Sequence, residues 1–198
     1  MNAFKLIEEV SNSAPYRIHM LLVVPHQRVD CWYISYGEKT SNAIIDNGNY
    51  YSVGYSTPDM SISVLHIGFT LKNMSMSSHF NKYRCIYSSD IENTSTISNL
   101  EMIERGILAG FKTDRRPVYR MGKIKESNTL NCFVNMIGVE PTMAISALVP
   151  NAMIIMKVSG IWETDTEYGV IFKFFIPGKL DSRELGGETR PMMKTTHP

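Results

Sequence analysis

Long apolar runs are missing from this 198-residue chain. Its most hydrophobic stretches, residues 18–25 and 152–158, fall far below the roughly 20 residues a membrane-spanning helix requires. No transmembrane segment is expected. Cysteine is scarce, with Cys31, Cys85 and Cys132 odd in number and widely spaced, so a disulfide scaffold is excluded and buried free thiols are expected. That points to a reducing compartment, cytoplasmic or nuclear. An excess of one charge is also absent: 20 Lys+Arg against 19 Asp+Glu leave +1, so any electrostatic function has to come from a local cluster. The N-terminus carries Glu8 and Glu9 where a secretion signal would carry an apolar run, and secretion is not expected. Without a secretory route, the sequons at Asn73 and Asn93 carry no chemistry.

Signatures of familiar chemistry are lacking too. None of His19, His26, His66, His79 and His197 falls at metal-ligand spacing with another histidine or with a cysteine, so no metal or other cofactor is expected. No G-x-S-x-G elbow occurs, and Ser159-Gly160 lies inside a strand-like run. Neither glycine-rich phosphate loop is present, and Gly186-Gly187 has no helix behind it.

What is present is a chain long enough to bury roughly 70% of its unfolded surface, with 43% hydrophobic residues. Residues 18–24 and 29–36 read as strands joined by a turn at Pro25 to Arg28. The Asn47-Gly48 turn separates a weak strand at 43–45 from one at 50–55. Leu65, Ile67, Phe69 and Leu71 alternate with polar or small residues within a strand over 61–72, and Tyr83, Cys85 and Tyr87 repeat that period. Segments 118–124 and 130–139 read as strands, and 143–149 is ambiguous between helix and strand. A hairpin of 152–162 and 168–176 closes the domain, its second strand apolar on both sides and hence central. One helix is predicted over 98–110, from a capping box at Ser98 and Glu101 and an apolar stripe at Leu100, Ile103, Ile107, Leu108 and Phe111. Phe4, Ile7 and Val10, three apart, predict a short N-terminal helix.

The expected fold is therefore α+β, a mainly antiparallel sheet of about eight strands carrying the 98–110 helix. Residues 1–177 are expected to form one globular domain and 178–198 a polar, flexible tail.

The strongest local signal is basic. Lys112, Arg115, Arg116, Arg120, Lys123 and Lys125 are six cations in fourteen residues with only Asp114 against them, a local balance of +5. Such a loop-plus-strand cluster, with Tyr119 interleaved, suits nucleic acid, acidic lipid headgroups or an acidic protein surface. A helix C-terminus that attracts cations, followed by a solvated strand face, is the plainer explanation. Tyr50, Tyr51 and Tyr55 suit base stacking or hairpin pairing, and thirteen methionines suit core filling or an adaptable contact surface.

These features favour a non-enzymatic binding or assembly protein that presents residues 112–125 to an anionic partner and has a protein partner or self-associates. In type, a small, motif-poor, Met- and Ser-rich domain resembles viral structural or accessory proteins, for instance a matrix-type protein bridging a nucleoprotein and a membrane. Two alternatives stay open: an enzyme whose site is assembled in space from His66, Cys31 and Asp30, and a single-stranded nucleic-acid-binding module.

Overall fold

A computed structural model describes residues 5–10, 18–42, 48–79, 82–134 and 146–177. Among the described residues eleven strands form one sheet system: β1 (Lys5–Val10), β2 (Ile18–Pro25), β3 (Ile34–Ser41), β4 (Asn49–Thr57), β5 (Met60–Ile62), β6 (Leu65–His79), β7 (Lys82–Ile86), β8 (Arg116–Val118), β9 (Thr129–Val134), β10 (Ser146–Glu163) and β11 (Glu167–Ile176). Two helices accompany them, α1 (Ile91–Gly110) and α2 (Met121–Ser127). Two 3-10 turns, His26–Arg28 and Cys31–Tyr33, lie between β2 and β3.

The fold is α+β, but its centre is a closed barrel of mixed pairing. Strands β6, β7, β9, β11 and β10 pair in that order, and β10 returns to β6. Four of these contacts are antiparallel; β9 and β11 run parallel, with Phe174 opposite Cys132 and Phe175 opposite Phe133. Parallel pairing also joins β2 to β6 and β8 to β11. Local alternation cannot report such closure, because it identifies strands and not their partners.

Strand β10 serves two neighbours on one side. Residues 146–158 pair with β6, and from Gly160 to Glu163 the partner is β4. The switch falls at an irregularity between Val158 and Gly160, where a Cβ on Gly160 would lie 2.3 Å from the Tyr51 carbonyl oxygen. Only a residue without a side chain permits that approach.

Helix α1 covers the core with Ile97, Leu100, Ile103, Ile107 and Leu108, one buried stripe at helical spacing. They join a single cluster with Leu71, Met76, Tyr83, Cys85, Leu130, Cys132, Phe172 and Phe174 from the strands. The helix starts seven residues before the predicted Ser98, because Asp90 supplies the N-cap by accepting the Asn93 backbone N–H at 2.8 Å. Asn93 is buried and acts as a piece of strand: its amide oxygen accepts from the Lys72 backbone N–H at 2.8 Å, and its amide nitrogen donates to the Lys72 carbonyl at 2.9 Å.

Other expectations need correction. Residues 5–10 form a strand antiparallel to β2, not a helix. Six residues make a marginal helix, whereas β2 offers a ladder of backbone partners. The strands at 18–25 and 34–41 do not pair with each other; β2 lies beside β6 and β3 beside β4. Residues 121–127 form helix α2 where a strand over 118–124 was expected, with Asn128 in the left-handed conformation (φ 48°) ending it. The closing hairpin and the central placement of its second strand agree with the sequence reading. The weak strand at 43–45, residues 135–145 and the tail at 178–198 lie outside the described residues.

Candidate functional site

Helix α1 ends where Phe111 donates its backbone N–H to the Leu108 carbonyl at 3.2 Å, and the Phe111 ring enters a nest of Tyr36, Tyr51 and Tyr168 at centroid distances of 5.4, 4.8 and 5.8 Å. Two residues later Thr113 donates its hydroxyl to Glu163 at 2.8 Å. Glu163 also accepts from the Tyr51 hydroxyl at 2.9 Å and the Asn49 amide at 3.3 Å. Burial pushes the Glu163 carboxyl up, but the three hydrogen bonds, with Arg115 nearby, outweigh it and hold the group below the usual carboxylate range. The basic segment is thus tied to the sheet at its start.

The structure divides the six cations. Arg115 lies 3.8 Å from Asp114, Arg116 pairs with Glu167, and Lys125 lies 3.3 Å from Glu101, which also holds Arg105 at 2.9 Å. Lys112, Arg120 and Lys123 form no ion pair among the described residues and are exposed. Lys112 stays on the loop after α1. Arg120 and Lys123 reach a groove of about 510 Å³ that they share with Lys82, at the start of β7, and Lys173 of β11.

The groove exists because a sheet edge opens. On this side β11 pairs with β8 from Glu167 to Gly169 and with β9 only from Phe174 to Ile176, so the strand between has no bridge partner there among the described residues. Helix α2 walls the gap. Its start is fixed by Glu104 of α1, which accepts the backbone N–H groups of Arg120 and Met121, both at 2.9 Å. Burial raises the Glu104 carboxyl above its usual range, against the opposing pull of those two donors and of the Arg120 charge.

Among the described residues, the groove lining holds four cations, Lys82, Arg120, Lys123 and Lys173, and no carboxylate. Two phenyl rings meet these cations, that of the buried Phe172 and that of the half-buried Phe133. The Lys82 and Lys173 ammonium groups lie 5.0 and 5.5 Å from the Phe133 ring centre, and the Arg120 guanidinium 4.5 Å from that of Phe172. Arg84 extends the charge along the outward face of β7, opposite Asn131.

Of the residues named for an assembled active site, Cys31 and Asp30 have other partners. The Cys31 thiol donates to the Ile103 carbonyl at 3.7 Å, and burial, then the Asp30 charge, pushes its pKa up. The Asp30 carboxylate caps the second 3-10 turn through the Trp32 backbone N–H at 2.9 Å. His66 stands opposite Lys157; burial, then that charge, lowers its pKa to about 4, and its Nε2 has no hydrogen-bond partner. Tyr50 and Tyr51 donate their hydroxyls to the Ser159 carbonyl and to Glu163, so both hydroxyls serve the sheet itself.

Lys82, Arg84, Lys173, Phe133 and Phe175 went unselected in the sequence. One signal was available: Lys173 is a lone charge in a strand otherwise apolar on both sides. No grouping of three or more His, Cys, Asp or Glu suited to a metal occurs among the described residues, and no helix among them is long and apolar enough to cross a membrane. Comparison with protein-family models, curated proteins and solved structures gives no match.

Proposed function

We propose that the protein is a non-enzymatic binding protein that takes an anionic partner in the groove between α2, β7, β9 and β11. One observation carries this reading: Lys82, Arg120, Lys123 and Lys173 surround a cavity of about 510 Å³ whose lining has no acidic residue among the described ones. A concave site lined by one sign of charge focuses its field and draws in the opposite charge, even where the whole chain is nearly neutral. Arg120 and Lys123 carry the contribution of the 112–125 segment. Arg115, Arg116 and Lys125 are already matched by the carboxylates of Asp114, Glu167 and Glu101.

Inorganic polyphosphate is a suitable probe because it offers charge without rings or chains. The protein should bind it with an affinity that falls steeply as salt rises. Replacing Lys82, Lys123 and Lys173 together by Ala should weaken binding roughly tenfold or more. Binding that ignores salt, or that the triple variant leaves unchanged, would overturn the proposal.

A further inference from the structure

We infer that the anionic partner is a single-stranded nucleic acid whose bases stack on Phe133 and Phe175; the inference rests on the groove being the anion-binding site. Phe133 and Phe175 are register partners on the parallel strands β9 and β11, with ring centres 5.7 Å apart and planes inclined by 33°. Both are only partly buried, while their strand neighbours Cys132, Phe174 and Ile176 are buried. Two rings therefore lie side by side on an outward sheet face, beside a groove walled by cations.

The rest of that face continues the pattern. Along β9, Thr129 and Asn131 precede Phe133 at two-residue steps, and along β7, Ile86, Arg84 and Lys82 stand beside them. Outward side chains two apart on a strand are separated by about 6.8 Å, so each row spans about 14 Å. The platform thus offers an aromatic surface, an amide and a hydroxyl in one line and cations in the next. Bases need the first three groups and phosphates the last. The lysines over Phe133 sit on flexible stems and can yield the ring to a base while turning their ammonium groups to its phosphate.

Ring chemistry separates this partner from other anions. The face of a phenyl ring carries negative potential, so the carboxylates of an acidic protein gain nothing from Phe133 and Phe175, whereas a nucleobase stacks on either. A duplex keeps its base faces inside its own stack. An anionic membrane presents phosphates in a plane and takes up protruding apolar groups. Of the large exposed apolar residues Trp32, Ile86, Ile91, Met102 and Leu148, none lines this groove, and only Ile86, the least exposed, stands on the neighbouring β7 face.

The experiment is fluorescence anisotropy on the full chain with oligodeoxyuridylate and oligouridylate of about 12 nucleotides. A duplex, inorganic polyphosphate and phosphatidylserine vesicles serve as competitors. The single strands should bind more tightly than the duplex or polyphosphate, and the two oligomers together report whether the 2′-hydroxyl matters. Phe133→Leu keeps apolar volume but removes the ring, and should weaken oligomer binding at least about fivefold, well beyond any loss of polyphosphate binding from the two lysines that rest on the ring. Phe133→Trp should restore it, which a folding defect would not. If polyphosphate binds through Lys82, Lys123 and Lys173 but Phe133→Leu leaves oligomer binding unchanged or weakens both ligands alike, or if the duplex or the vesicles displace the oligomers most effectively, the nucleic-acid inference fails and the anion groove stands. If neither polyphosphate nor the oligomers depend on those lysines, both fail.

Discussion

The two carboxylate oxygens of Glu104 cap a helix that belongs to another part of the chain. One accepts the Arg120 backbone N–H and the other that of Met121. Helix α2 has no side-chain cap of its own. A seven-residue helix is too short to stand alone, so Glu104 and the burial of Met121 hold it on the sheet. Glu104→Ala strands two N–H groups and leaves a cavity. A loss of about 2–4 kcal/mol is expected, checked by chemical denaturation. Hydrogen exchange should quicken most at 121–127, and polyphosphate binding should fall, because Arg120 and Lys123 ride on this helix.

The cations of the basic segment should not contribute equally. Arg116 is exposed and matched by Glu167, so Arg116→Ala should change stability by less than about 1 kcal/mol and leave polyphosphate binding within about twofold. Lys123→Ala removes an unmatched charge from the groove and should weaken binding by several times that factor. Titration of the two variants side by side checks the ranking, and equal effects would show that the whole segment acts as one diffuse patch.

The sequence exposed what local pattern can expose. The β10–β11 hairpin was legible because turn residues 163–167 separate two strongly apolar runs, and α1 because its stripe keeps helical spacing. Its true start was hidden, since Ile91 to Thr96 carry no stripe and the N-cap at Asp90 becomes visible only with Asn93 seated against Lys72. Helix α2 was misread because Val118 to Ile124 mimic strand alternation, while its stabilising group, Glu104, lies sixteen residues upstream of Arg120. The groove was half legible: Arg120 and Lys123 came from a charge run. Lys82, Phe133 and Lys173 are brought together only by closure of the barrel, a relationship between distant strands.

Glu163 fastens the segment after α1 to β4 and β10 through Thr113, Tyr51 and Asn49. Its folded pKa lies below the ordinary 4.5, so the stability it contributes is present above that value and is lost as pH falls through the lowered one. Glu163→Ala should destabilise the protein by about 1–3 kcal/mol at neutral pH. The difference from wild type should shrink as pH is lowered past 4.5, measured by urea denaturation across the acid range.

His66 makes the protein sensitive at milder acidity. Buried opposite Lys157 with an unpartnered Nε2, it stays neutral in the folded state down to about pH 4, while in the unfolded chain it takes up a proton near 6.5. As pH falls from 6.5 towards 4, the unfolded state gains protons that the native state does not, and stability declines. The full difference is on the order of 3 kcal/mol. His66→Leu removes both the titration and the unsatisfied nitrogen, so its stability should be nearly flat over this window, while wild type loses most of that amount. The same curve in both proteins would mean that His66 protonates freely in the fold, through an opening of β6 and β10 at Lys157. The opening free energy at residues 65–67, from hydrogen exchange corrected for the intrinsic rate, would then fall below the global value with acid, whereas under the expected behaviour it follows global stability.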